Sequence, residues 1–370
     1  MKKHNWFFEL ALIAFMSVAM AATWYVDPAA TGNNDGSTWT DAHTDPNWTV
    51  DSVAAGDSVL LRGTYAPSGV YFNINATAGT GAARIKWIGV NAAGVDDGTP
   101  FLITADNYGI GVVQPYNYLK NFEISGGSNN GIYINYGDNI FHNFYVHDCA
   151  RGVGDKYYTL FYKCSFRNNT SYGITGLNSS FAVLCEAIGN GSYGIGTTTM
   201  AGVVGCVNHG NALEGIYVEG RDYPLLIMHN TCDKNADGIG DSDDPAFIVS
   251  LFNRLTDNVA HGLNLDDPLS NGIEDYNFYL NNGTADIKSD GDLIQPGNSL
   301  SAGTLGYVDT STNNFTLDSS ATMRRTWATV GCVDSANLYY GTAGLPPADT
   351  ACAAGGGGAF FFPYIMRHGN

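Results

Sequence analysis

Asn169-Thr170-Ser171-Tyr172-Gly173-Ile174 returns 21 residues later as Asn190-Gly191-Ser192-Tyr193-Gly194-Ile195. The closing pair, glycine then an aliphatic residue, runs through the middle of the chain. It occurs at Gly109-Ile110, Gly131-Ile132, Gly152-Val153, Gly173-Ile174, Gly194-Ile195, Gly215-Ile216, Gly238-Ile239 and Gly262-Leu263, at intervals of 22, 21, 21, 21, 21, 23 and 24 residues. A fixed period of this size marks a solenoid, in which each repeat buries its apolar face only against its neighbours.

Each unit has one plan. A short apolar stretch comes first, as at 119–124, 144–146, 161–166, 183–188 and 227–232, and reads as a strand. A polar turn follows, and the Gly-aliphatic pair opens a second strand. Nine residues before the glycine stand Phe122, Cys164, Cys185, Cys206 and Asn253, and two further on Ile124, Phe166, Ala187 and Leu255. Mostly apolar types at period two read as an inward strand face. A unit this short has no room for a helix but fits three short strands and three turns. The expectation is an all-β, right-handed parallel β-helix of about nine or ten coils with capped ends. The Leu-x-x-Leu-x-Leu signature of leucine-rich repeats is absent, a propeller needs about twice the period, and a β-sandwich would not hold the spacing constant.

Asparagine recurs four residues before the repeat's reference position at Asn169, Asn190, Asn211, Asn258 and Asn282, with Asn235 one residue closer to its glycine. It tolerates left-handed backbone at a sharp corner, and stacked amides can bond from rung to rung. Cys164, Cys185 and Cys206 follow the repeat and predict a stack of small buried side chains. Cys332 and Cys352, outside it, resemble a loop-closing pair.

The ends differ from the middle. Lys2 and Lys3, the apolar run 10–20 and Ala19-Met20-Ala21 read as a secretory signal over 1–21, the apolar run being too short to span a membrane. Residues 22–105 read as an N-terminal cap and first coils, 106–300 as the repeats and 301–354 as a C-terminal cap. Residues 355–370 form a Gly-rich linker and apolar tail, either a sorting tag or a final strand docked on the cap. The expected location is therefore extracellular or at the cell surface. The 17 Lys plus Arg against 35 Asp plus Glu give a net charge of −18, and removing the signal makes the chain more acidic still. That balance argues against nucleic acid and anionic membranes as partners.

Three stretches resemble secreted right-handed β-helix proteins of the pectate-lyase-like superfamily: Trp24-Tyr25-Val26-Asp27 followed by Asn34-Asp35-Gly36-Ser37-Thr38-Trp39; Ala55-Gly56-Asp57-Ser58-Val59-Leu60-Leu61-Arg62-Gly63-Thr64-Tyr65; and Gly79-Thr80-Gly81-Ala82-Ala83-Arg84-Ile85-Lys86-Trp87-Ile88-Gly89. Gly306-Tyr307-Val308-Asp309 with Asn314-Phe315-Thr316-Leu317 resembles their closing segment. The resemblance covers about residues 24–335 and implies the fold. That superfamily holds lyases, glycosidases, tailspikes and adhesins, so activity has to be argued from a site.

The densest site candidate is acidic. Asp241, Asp243 and Asp244 follow one repeat glycine, and Asp266 and Asp267 follow the next, so stacking brings five carboxylates to one flank. Repulsion among them favours protonation or a bound cation. Asp241, Asp243 and Asp266 are the expected ligands if Ca²⁺ binds there. Asp243, Asp244 and Asp267 with His261 are the expected catalytic set if the chain cuts glycans, since carboxyls one or two coils apart match glycosidase spacings. Asp243-Asp244, Ala260-His261-Gly262 and Asp286-Ile287-Lys288 also resemble the order of polygalacturonase motifs, with Ala260 in place of a glycine and Asp286 in place of an arginine. Losing the arginine removes the group that would hold a uronate.

The residue before each repeat glycine varies: Tyr108, Asn130, Arg151, Tyr172, Tyr193, Glu214, Asp237 and His261. This column is expected to face outward. Tyr172, Tyr193 and nearby Tyr217 then offer a carbohydrate-binding surface or, alternatively, plain cross-rung stacking. The reading is an exported β-helix protein that binds, and as an enzyme would cleave, extracellular polysaccharide as a glycoside hydrolase or lyase. The alternative is a non-catalytic surface protein or adhesin.

Overall fold

The computed structural model describes residues 21–301 except positions 68, 70, 76, 77, 155, 220–223, 242–245 and 298, together with the strands Tyr307–Asp309 and Asn314–Leu317. The expected signal, the Cys332/Cys352 pair, the linker and the tail lie outside the described residues. So does most of the expected C-terminal cap.

The repeat period becomes a parallel β-solenoid with three faces. The first face runs from Thr23–Val26 to Asp292–Ile294, the second from Thr64–Tyr65 to Phe278–Leu280, and the third from Phe72–Ile74 to Ala285–Ser289. All rung-to-rung pairing among these strands is parallel. About eight regular turns follow two wider windings at the N-terminal end. There, the helix Pro46–Val50 packs on the first windings and buries Thr49 and Val50, with Asp45 capping it. Asn47 ties it to the solenoid by accepting from the Asn73 amide at 2.8 Å. At the far end, Tyr307–Asp309 and Asn314–Leu317 pair as an antiparallel hairpin.

Stacking puts like residues over like. Ile110, Ile132, Val153, Ile174, Ile195, Ile216, Ile239 and Leu263 form one column inside the third face, and all are fully buried. The glycine before each is dictated by crowding from the next turn. A Cβ on Gly194 would lie 2.6 Å from the Gly215 carbonyl oxygen and 2.8 Å from Asn211 Nδ2.

The stretch 161–166, read as one strand, is two: Leu160–Tyr162 and Ser165–Arg167 meet at a corner where Lys163 has φ 54°. The same left-handed corner recurs at Leu184, His229, Phe252 and Tyr276, φ 54–58°. Burial steps by three across it, from Phe161 to Cys164, before period two resumes at Phe166, so the left-handed residue takes up the extra place as the chain turns.

Each of two corners carries a buried polar ladder. Asn169 Nδ2 donates to Asn190 Oδ1 at 3.0 Å, Asn190 to Asn211 at 2.9 Å, Asn211 to Asn235 at 3.0 Å, Asn235 to Asn258 at 3.3 Å and Asn258 to Asn282 at 3.0 Å. This is the ladder expected from sequence. Cys164, Cys185 and Cys206 stack at the other corner as free, buried thiols. The column then changes to asparagine. Cys206 N–H donates to Asn230 Oδ1 at 2.8 Å, and Asn230, Asn253 and Asn277 continue the ladder amide to amide at 3.0 Å.

One departure from regularity positions the site. After Ile195–Thr199 the next strand begins at Gly202, but Ile216–Val218, Ile239–Asp241 and His261–Leu265 are followed by strands starting at Pro224, Phe247 and Asn271. Three consecutive turns are therefore widened at the same corner of the third face, which accounts for the longer glycine intervals.

Candidate active site on the third face

The variable column does lie on the outer side of the third face. Arg151 sits over the Tyr172 ring, 5.5 Å from its centroid. Tyr172, Tyr193 and Tyr217 stack in turn, with centroids 5.1 and 4.7 Å apart and planes tilted by 11° and 13°. The rings use their faces on each other, and Tyr193 Oη bonds Thr175 Oγ1 at 2.8 Å. Of the two readings from sequence, cross-rung stacking describes these rings. What the ladder presents outward is ring edges and hydroxyls.

The aromatic run ends where the acids begin. Main-chain bonds from Gly194 to the Glu214 oxygen, Gly215 to Asp237 and Gly238 to His261 (3.0, 2.9 and 2.9 Å) put Glu214, Asp237 and His261 on successive rungs. Gly240 is the outward position paired with Tyr217 on one side and Asn264 on the other. Having no side chain, it leaves a notch. Glu214 leans into it, since a Cβ on Gly240 would lie 2.8 Å from Glu214 Cγ and 3.7 Å from Asp237 Cβ. Burial, with repulsion from Asp237 added, raises the Glu214 carboxyl above the usual range.

Three donors converge on Asp237. The His261 amide and ring Nδ1 reach Oδ1 at 2.7 and 3.0 Å, and Asn264 Nδ2 reaches Oδ2 at 3.0 Å. The ring contact fixes His261 with its Nδ1 proton toward Asp237.

The expected acidic cluster is placed in part. Asp243 and Asp244 lie outside the described residues, in the connection between Asp241 and Ala246. Asp241 is buried beside the turn that carries Asp266 and Asp267: its oxygens accept from the Asp266 amide at 2.6 Å and the Ser270 hydroxyl at 2.7 Å. Asp267 is also buried, accepting from the Leu269 amide at 2.7 Å. Asp266 is exposed, ion-paired with Lys288 and bonded to Asn264. Asp286, in the resemblance to the polygalacturonase order, instead accepts from Asn282 at the corner. Among the described residues no three His, Cys, Asp or Glu side chains gather as metal ligands. Sequence reasoning placed His261 with Asp243, Asp244 and Asp267; the structure describes its ring against Asp237, with Asp243 and Asp244 outside the described residues. Glu214 and Asp237 were visible in the variable column, but only the notch at Gly240 marks them out.

Burial raises Asp241 to about 6 from an unfolded value near 3.8. The folded state then holds the proton more tightly between those values, so this group's favourable contribution is complete below pH 3.8 and is lost as pH rises through about 6. An asparagine fits the two contacts as the protonated acid does. Asp241→Asn is therefore expected to gain on the wild type between pH 4 and 7, by about 1–2 kcal/mol at neutrality once solvent screening is allowed for. Urea unfolding across that range checks it, and a pH-independent difference would refute it.

Among solved structures, the chain is similar to a rhamnogalacturonan lyase, with a TM-score of 0.58 and 14% identity over 78% of this chain and 91% of that one. It is also similar to pectate lyase Pel9A, with a TM-score of 0.54 and 14% identity over 79% and 84%. A GH136 lacto-N-biosidase from Eubacterium ramulus gives 0.51 and 12% over 79% and 68%. The chain shares the parallel β-helix fold of these structures. The sequence matches no protein-family model and no curated protein. Among the described residues, no helix is long and apolar enough to cross a membrane.

Proposed function

We propose that this β-helix is an exported glycoside hydrolase that binds a polysaccharide along its third face and cleaves it at the Gly240 notch. The observation that carries the reading is the pairing of Glu214, whose carboxyl is raised, with Asp237 one rung away, held by His261 and Asn264. Two carboxyl groups in unlike environments are what glycosidic cleavage needs. Glu214 protonates the leaving oxygen, and Asp237 assists the incoming water or the sugar carbon. The Tyr172–Tyr193–Tyr217 ladder supplies hydroxyls and ring edges along the approach. Similarity to proteins named as polysaccharide lyases and a biosidase supports a glycan substrate in general.

Hydrolysis is favoured over elimination by the charge around the notch. A lyase acting on a uronate needs cations to neutralise it. Here Lys288 is engaged by Asp266, and carboxylates dominate. The test is incubation of the purified protein with neutral, acidic and amino-sugar glycans, with and without Ca²⁺, following reducing ends and unsaturated products separately. Reducing ends without unsaturation are expected. Unsaturated products would replace hydrolysis by a lyase. No product and no binding on any glycan would leave the non-catalytic adhesin.

A further inference from the structure

On the rung beside Gly240 stands an acceptor with nothing to accept. Asn264, on the strand His261–Leu265, is only 7% exposed, and its Oδ1 is buried without a hydrogen-bond partner. Its Nδ2 donates to Asp237 Oδ2 at 3.0 Å and Asp266 Oδ2 at 3.1 Å. Turning the amide over would set oxygen against both carboxylates, so the contacts fix the orientation. Oδ1 is therefore held in place, one amide width from two acids. Buried polar atoms left unpaired in this way are uncommon and call for a partner.

The surroundings say what kind. Glu214, Asp237, Asp241 and Asp267 lie on the same or neighbouring turns, while the nearby described cation Lys288 is committed to Asp266 and His261 faces Asp237. Acceptors outnumber donors. A uronate would be repelled. A divalent ion needs several carboxylates converging on a point, and no such group exists among the described residues. An ammonium needs only two or three acceptors and brings three donors with its charge.

We infer that the notch selects glycans bearing free amino groups, a deacetylated hexosamine polymer, by placing one sugar ammonium against Asn264 Oδ1 between Glu214 and Asp237. The inference rests on the glycan-binding reading above and narrows its substrate class.

Calorimetry on the full chain tests it with three probes of equal length: a glucosamine hexamer, its N-acetylated form and a neutral glucose hexamer, at low and moderate salt and mildly acidic pH. Hexalysine serves as a polycation control. The glucosamine hexamer is expected to bind about 10-fold or more tighter than either other sugar and than hexalysine. Asn264→Ala keeps the net charge and is expected to abolish that preference. Asn264→Ser, retaining a small acceptor, is expected to restore part of it. Should the alanine variant fail to fold, the wild-type comparison of acetylated with deacetylated sugar still decides. Equal binding of all three sugars, hexalysine binding as tightly as glucosamine, or sugar binding that requires Ca²⁺ would each overturn the ammonium inference while leaving glycan binding intact. Absence of binding by every sugar would overturn the glycan reading itself.

Discussion

Asn211→Ala is expected to cost at least about 4 kcal/mol and to unfold the central turns together. The side chain sits in the middle of the ladder and is almost wholly buried. Its Oδ1 accepts from the Asn190 amide at 3.1 Å and Asn190 Nδ2 at 2.9 Å, and its Nδ2 donates to the Ala187 oxygen and Asn235 Oδ1, both at 3.0 Å. Truncation removes four bonds where water does not reach: Asn190 Nδ2 keeps the Phe166 oxygen and Asn235 Oδ1 keeps the Asn211 amide, while the Asn190 amide and the Ala187 oxygen lose their side-chain partner. Each stranded group costs about 1–3 kcal/mol, and the vacated volume adds a cavity term. In a solenoid each repeat relies on its neighbours, so a lesion at the centre removes support from both sides. Asn282→Ala is the control. Asn282 makes a similar set of bonds but is partly exposed, so water can replace it and the loss should be well under half as large. Chemical unfolding of the two variants compares them; equal losses would show that bond count rather than burial sets ladder stability.

Glu214→Gln is expected to lower kcat by about 10²–10⁴-fold on the substrate that the glycan assay identifies, with the unfolding midpoint nearly unchanged. The amide keeps shape and hydrogen bonding but has no proton to give. The wild-type rate should fall as pH rises through the raised ionisation of Glu214, because the proton-donating form is then lost. Asp237→Asn should cost a similar factor in kcat and, by removing one of the two acids flanking the bound ammonium, should weaken binding of an amino-sugar substrate as well, and Tyr193→Phe should change affinity more than kcat. Asp244→Asn belongs in the same series, since the sequence pointed to Asp243, Asp244 and Asp267. A large loss there with Glu214→Gln fully active would move the chemistry from the notch to the widened corner.

The same contrast separates what was legible. The Asn169-to-Asn282 column could be read because the repeat forces equivalent residues over one another, and an amide is among the few side chains that bond its own kind in a stack. The continuation of the cysteine column was legible at Asn253, which keeps the nine-residue spacing, but not at Asn230 or Asn277. Asn230 stands eight residues before Gly238 because that stretch is one residue shorter, as Asn235 also shows, so the column breaks on paper and not in space. The bends at Lys163 and Leu184 show only in the folded chain, where burial steps by three across each, from Phe161 to Cys164 and from Ala182 to Cys185.

The period of the glycine pairs was enough to determine the all-β solenoid, the outward column and one polar ladder, because translation along a stack is a property of sequence spacing. Which outward residues form a site was decided only by tertiary structure. Gly240 looks like any other glycine until Tyr217 and Asn264 flank it and Glu214 fills the gap. Side-chain lean across rungs, and the direction an amide must face between two carboxylates, depend on contacts between turns more than 20 residues apart. Spacing sets which residues are neighbours; their packing sets which atoms are left needing a partner.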